Sequence, residues 1–137
     1  MINIRYGTFE TNSSSVHSLM IATDDVYKQL VAGTLYIDIY NDEYLSREEV
    51  TNILLAVPER ELKNFWHNDC EKDTELIPTI EWFNTLSIRD FNEFIREFCD
   101  GIRSFEDYGE YYEWYDKEYT SEHGDKIHIF GYYGWDR

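Results

Sequence analysis

The densest run of potential chemistry lies near the N-terminus, in Arg5-Tyr6-Gly7-Thr8-Phe9-Glu10-Thr11-Asn12-Ser13-Ser14-Ser15-Val16-His17-Ser18. Seven side-chain hydroxyls (Tyr6, Thr8, Thr11, Ser13, Ser14, Ser15 and Ser18), one amide, one carboxylate and one imidazole fall within fourteen positions. Such a segment has three uses. Asn12, Ser13, Ser14 and Ser15, with their backbone N–H groups, can cradle a phosphate or carboxylate. His17 can take the proton of a neighbouring hydroxyl while Glu10 orients its ring. The same residues can also be a plain turn in which Asn and Ser satisfy their own backbone. All three stay open at this point.

A second chemistry is spread over the rest of the chain. Residues 1–40 carry four acids and two bases, residues 41–100 fifteen and six, and residues 101–137 nine and four. Of the net charge of −16, −14 therefore sits on the last two-thirds. Carboxylates recur as Glu71-Asp73-Glu75, Asp107-Glu110-Glu113 and Asp116-Glu118. Alternate strand residues lie about 6.6 Å apart, and i, i+4 helix residues about 6 Å, so such rows can imitate successive phosphates. Tyr111, Tyr112, Trp114 and Tyr115 interleave with the last two rows and supply the aromatic anchors common at interface centres. The competing reading is a solvated acidic face over an aromatic core.

Other constellations are weaker. His67-x-x-Cys70, and His123 with His128, fall short of the three or four ligands zinc takes, so no metal and no cofactor is expected. His128 alternates with Ile127 and Ile129 and reads as solvent-facing. Glu81 beside Trp82 and Phe83 is either a carboxylate perturbed by apolar neighbours or an edge residue. Cys70 and Cys99 form no framework, and no Gly-rich phosphate loop or nucleophile elbow is present.

The elements that must position these residues follow from periodicity. Ile2, Ile4 and Tyr6 alternate as a strand, Thr8 to Ser15 reads as a polar loop, and Val16–Ala22 returns as a second strand. Thr23 caps a helix over Asp24–Ala32 that Gly33 stops. Thr34–Tyr40 is β-branched and aromatic, a central strand. Ser46-Arg47-Glu48-Glu49 is a capping box for a helix burying Val50, Ile53, Leu54 and Val57. Pro58 starts another with Leu62, Phe65 and Trp66 on one face. Ser87 caps a helix with Phe91, Phe94, Ile95 and Phe98 inward, and Gly101 follows it. Residues 111–119 fit a strand better than a helix, because Gly109 interrupts the tyrosine stripe and a tight Ser-Glu-His-Gly-Asp turn leads into a strand at Lys126–Tyr133. The sum is an α+β fold: a mainly antiparallel sheet with helices packed on one face. Its 137 residues suit a single domain, with a polar-loop hairpin at 1–22 and an acidic, aromatic body at 23–137.

Composition excludes several classes. A −16 chain does not adhere to nucleic acid or anionic lipid, and 18% aromatic content is unlike a disordered acidic tail. No apolar run approaches the ~20 residues of a membrane span, and no secretory h-region opens the chain, so a cytoplasmic protein is expected. Its oligomeric state is not legible.

Gly7-Thr8-Phe9-Glu10-Thr11-Asn12-Ser13-Ser14-Ser15-Val16-His17-Ser18 resembles the start of a family of small phage and mobile-element proteins with the pattern G-x-F-E-T-N-S-S-S-x-H-S. The resemblance covers about fifteen residues of the 137. It implies a phage origin and, through the anti-CRISPR proteins that share the signature, action against a host defence effector inside the bacterial cell. The expected partner is a nucleic-acid-binding effector of CRISPR or restriction type, Cas9-like in the leading case. Its basic channel would be met by Asp107, Glu110, Glu113, Asp116 and Glu118 with the interleaved aromatics. The alternative is a metal-independent ribonuclease that shortens effector-bound guide RNA. There Glu10 and His17 would be catalytic, and Asn12 and Ser13–Ser15 would hold phosphate. A third option is a non-enzymatic phage binding module.

Overall fold

The computed structural model describes residues 4–10, 15–70, 74–109 and 113–135, with side chains over 18–70, 74–109 and 113–133. It is an α+β domain whose antiparallel strands divide between two sheets rather than joining one. β1 (Ile4–Glu10) and β2 (Ser15–Thr23) form a hairpin, and β2 continues the sheet through β7 (Lys126–Trp135) to β6 (Glu113–Thr120), in the order β1-β2-β7-β6. The second sheet is small: β3 (Leu35–Asp38) lies between β4 (Glu43–Ser46) and β5 (Ile102–Arg103). The β-branched run at 34–40 is thus central, as its composition indicates, but central to this smaller sheet. Thr8, Phe9, Glu10 and Ser15 of the expected polar loop lie in strands instead. β1 runs on to Glu10, with a register irregularity between Arg5 and Thr8.

Most of the helices begin at a side-chain hydroxyl cap. Thr23 Oγ1 accepts from Val26 N–H at 3.3 Å to start α1 (Asp24–Ala32), and Gly33 closes it at φ 84°. Ser46 and Glu49 exchange reciprocal hydrogen bonds at the start of α2 (Arg47–Leu54). Pro58 precedes α3 (Glu59–Asp69), and Thr79 caps the short α4 (Ile80–Asn84), which has no long apolar period to announce it. Ser87 caps α5 (Ile88–Phe98). Among the described residues no helix is long and apolar enough to cross a membrane.

Two cores result. The larger is helical and aromatic: Trp66, Phe83, Phe91 and Phe94 are fully buried with Tyr36, Leu54 and Leu62, and α5 lays its apolar stripe across α2 and α3. Ile53, expected on the inward face of α2, is 41% exposed; Thr51 is buried instead, its hydroxyl donating to Arg47 O. The smaller core lies where α1 packs on the four-stranded sheet and on β3, around Met20, Leu30, Ile37 and Phe130. Strand alternation places Leu19, Ile21, Ile127 and Ile129 on the sheet's other face, half-buried and outside both cores. Gly131 is required at the β2–β7 contact, because a Cβ there would stand 1.9 Å from Ser18 O.

Candidate functional site

The N-terminal motif folds into the β1–β2 hairpin. Glu10 stands across from Val16 and His17 across from Phe9, so the two are offset by one register step, which alternation assigns to opposite faces, and are not a facing pair. His17 also pairs with Tyr133 of β7, and Ser15 with Trp135. Asn12, Ser13 and Ser14 lie outside the described residues, as do Glu110, Tyr111 and Tyr112. Ser18 is the one hydroxyl of the motif with a described side chain. It is buried, and its Oγ meets Tyr108 Oη at 3.0 Å, tying the hairpin to the turn before β6.

The acidic stretch at 107–118 does not present one row. Asp107 is drawn to Arg96, at 2.7 Å from Nε and 3.3 Å from an Nη, and that pairing pushes the Arg96 pKa up. On β6, alternation sends Trp114, Asp116 and Glu118 to one face and Glu113, Tyr115, Lys117 and Tyr119 to the other. Trp114 packs edge-on to Phe105 at 5.4 Å and Tyr108 at 5.7 Å, with 39% of it left exposed. On the opposite face Glu113 holds the Tyr133 phenol in its protonated form, and the Tyr115 and Tyr119 hydroxyls meet at 3.4 Å.

Asp116 and Glu118 instead face α1, where a polar cluster forms that the sequence does not announce. The chain leaves β2 at Thr23 and turns into α1 directly over His128 of β7. His128 is only 8% exposed, which corrects its reading as solvent-facing. Its Nε2–H donates to Asp24 Oδ1 at 2.8 Å. One turn on, the Tyr27 ring stacks on the imidazole at 3.9 Å and 3°. The Tyr27 hydroxyl donates to Asp116; burial, reinforced by that carboxylate, pushes its pKa up. Lys28 closes the helix face with its ammonium 2.9 Å from Asp24 Oδ2, and hydrogen bonds from Lys28 and His128 hold the Asp24 pKa down. Glu118 is the direct cross-strand partner of His128 and pairs with Lys126 at 3.5 Å. Only the i, i+3, i+4 spacing of Asp24, Tyr27 and Lys28 was available in the sequence. The strand partners lie about a hundred residues away.

Exposed carboxylates gather on the helical half. A groove of about 400 Å³ between α3 and α5 is lined by Glu61, Asp69 and Glu97, with Asn64 and Asn68 beside them and Phe65 and Phe98 in its walls. Glu97 and Phe98 also border a larger cleft of about 590 Å³ that runs past Asp100, Arg103 and Asp107 to Tyr132. Among the described residues no cation is within ion-pair distance of Glu61, Asp69 or Glu97. Glu81 is exposed on α4 and is an edge residue. His67 and His123 are exposed and join no metal-ligating group among the described residues. The half-buried Cys70 thiol donates to Glu93 at 3.5 Å and belongs to no metal-ligating group among the described residues.

Comparison of the chain with protein-family models, with curated proteins and with solved structures gives no match.

Proposed function

We propose that the protein is an inhibitor of a bacterial nucleic-acid-binding defence effector, of the anti-CRISPR kind, that lays an acidic surface into the effector's basic nucleic-acid channel. The observation that carries this reading is the α3–α5 groove. There Glu61, Asp69 and Glu97 line one groove with Phe65 and Phe98 in its walls, and no cation among the described residues lies within ion-pair distance of them. A row of carboxylates with apolar walls fits arginine and lysine side chains, whose stems pack on rings while their heads meet the carboxylates. The groove extends the acidic surface beyond the 107–118 stretch, where Asp107 and Asp116 already have partners within the molecule. The net charge of −16 steers such a partner from a distance, and the phage-type N-terminal signature supplies the biological setting.

The test is a cleavage assay with a guide-loaded Cas9-like nuclease at rising salt, followed by a denaturing RNA gel. Inhibition should fade as salt rises from about 50 to 300 mM, because the contacts are screened. The triple variant Glu61→Gln, Asp69→Asn, Glu97→Gln should inhibit at least about tenfold more weakly, the equivalent of about 1.4 kcal/mol. Inhibition that ignores both salt and the triple variant would sink the reading, as would no inhibition across a panel of CRISPR and restriction effectors. A shortened guide, restored to full length by Glu10→Gln or His17→Ala, would replace it with the ribonuclease.

A further inference from the structure

The cluster between α1, β6 and β7 gathers three potential metal ligands from three elements. Asp24, Glu118 and His128 each offer one ligand atom, and these atoms all lie within 4.8 Å of one another. Bonds of about 2.0–2.2 Å to a central ion place neighbouring ligand atoms roughly 3–4 Å apart, so a small inward shift of one side chain completes the set. We propose that Asp24, Glu118 and His128 bind a divalent transition-metal ion, with zinc the best-fitting member of the class.

Four observations carry this. First, the imidazole is already fixed: His128 is buried, and Tyr27 lies flat against it at 3.9 Å. Fixing the ring in advance lowers the entropy lost when a ligand is captured. Second, Asp24 divides its two oxygens. Oδ1 faces His128 Nε2, while Oδ2 is held by Lys28 at 2.9 Å. Oδ1 can turn to the ion while Lys28 keeps Oδ2, the outer-shell arrangement that orients metal-bound carboxylates. Third, Glu118 sits on the same cross-strand row as His128, with a side chain 49% exposed and only a 3.5 Å contact to Lys126 to give up. It is the ligand free to close. Fourth, two carboxylates and a neutral imidazole match a doubly charged ion in charge, and a nitrogen–oxygen set of this kind suits zinc better than magnesium. On binding, Nε2 gives up its proton and the ring carries one on Nδ1. Water occupies the remaining position or positions of the coordination sphere.

The experiment is calorimetric titration of the chelator-stripped full chain with zinc, and separately with magnesium. Zinc should bind with one strong equivalent, well ahead of magnesium, and raise the thermal midpoint. Glu118→Gln and His128→Gln should each weaken that equivalent by roughly tenfold or more. A variant lacking three of the other soft ligands, His67→Gln, Cys70→Ser, His123→Gln, should leave it unchanged. With so acidic a surface, weak additional binding is expected, so the variants decide. No strong equivalent, or one that survives Glu118→Gln, overturns the proposal, as does its loss in the triple variant. Should His128→Gln fail to fold by circular dichroism, Glu118→Gln settles the matter, since its side chain is half in solvent.

Discussion

The two halves of the molecule handle charge in opposite ways. In the helical half, Trp66, Phe83, Phe91 and Phe94 form an aromatic interior, and the carboxylates stand outside it along the α3–α5 groove. The buried polar groups there are few. They include Thr51 and Asn92, which accepts from the Tyr36 hydroxyl at 3.1 Å, and beside them the half-buried Arg47 guanidinium lies 4.2 Å over the Phe91 ring and donates to the carbonyls of Phe83 and Leu86. In the sheet half titratable groups engage one another: the buried His128, the half-buried Asp24 and Tyr27 and the exposed Asp116 join helix to strand. The same excess of acid therefore does two different things. Where a mainly apolar interior holds the elements together, carboxylates remain available to a partner. Where polar pairs join the elements, carboxylates are spent on internal contacts and on whatever ion they can capture.

The sharpest way to break this contrast is to remove its apolar side. Phe94 is fully buried among Phe65, Trp66, Phe83 and Phe98, with ring centroids 5.1–6.3 Å away. Phe94→Ala should cost about 3–5 kcal/mol in urea unfolding, while leaving the metal-binding cluster of the sheet half competent in whatever fraction remains folded. A loss below about 1 kcal/mol would mean that this interior is not what holds the helices.

The next largest effect belongs to the sheet half. Gly131→Ala would force a methyl group to within 1.9 Å of Ser18 O and 3.0 Å of Leu19 Cα, both backbone atoms that cannot step aside. Overpacking of this kind costs about 1–3 kcal/mol and should spread β2 from β7, loosening His128 as well. Amide exchange along β2 measures it. Unchanged protection at Ser18–Ala22 would show that the strands have slack the register does not reveal.

Below these stands a single hydrogen bond. Ser18→Ala removes the 3.0 Å contact to the Tyr108 hydroxyl and should cost about 1 kcal/mol, read by thermal melting. A much larger loss would make the last residue of the N-terminal motif a structural keystone; none would leave the Tyr108 hydroxyl satisfied without it.

Local rules made most of the fold legible. Three hydroxyl caps, at Thr23, Ser46 and Ser87, mark helix starts because each satisfies backbone N–H groups two or three residues on, which is a local matter. The α5 stripe, Phe91, Phe94 and Ile95, is inward because its period admits no other face. What failed was the choice between faces. Ile127 and Ile129 look like the inward residues of β7 and His128 like the outward one. Yet His128 and Phe130 face α1, because helix contacts decide the side and Asp24 and Tyr27 supply the imidazole with partners. Hydrophobicity cannot choose when both faces of a strand are partly covered. The strands at 43–46 and 102–103 were missed for a different reason. Four and two residues carry too short a period to read, and their pairing with β3 arises only after the chain has folded. The Asp24–Glu118–His128 set is invisible for the same cause, since its members meet only through β6–β7 register and the descent of α1.

The smallest effect at neutral pH lies in the two thiols of the helical half, and it tests whether that interior is as closed as its aromatics suggest. Burial pushes the Cys99 thiol up to about 11 from an ordinary value near 9. Burial, helped by Glu93, pushes Cys70 to about 12. Near pH 7 both thiols are protonated in the folded and the unfolded chain, so neither makes stability depend on pH there. Above pH 9 the unfolded chain loses these protons first and binds fewer than the folded one, so stability must fall as pH rises toward 11. Cys99 is 4% exposed and should dominate the fall, whereas Cys70 is partly open and its share is screened by solvent. Urea midpoints of the wild type and Cys99→Ala, compared from pH 8 to 10.5, isolate this from the constant cost of the smaller side chain. The two curves should converge as pH rises, by up to about 1–2 kcal/mol at pH 10.5. Curves that run parallel would mean that water reaches Cys99 in the folded state, and the helical interior would then lose its distinction from the polar junction beneath the sheet.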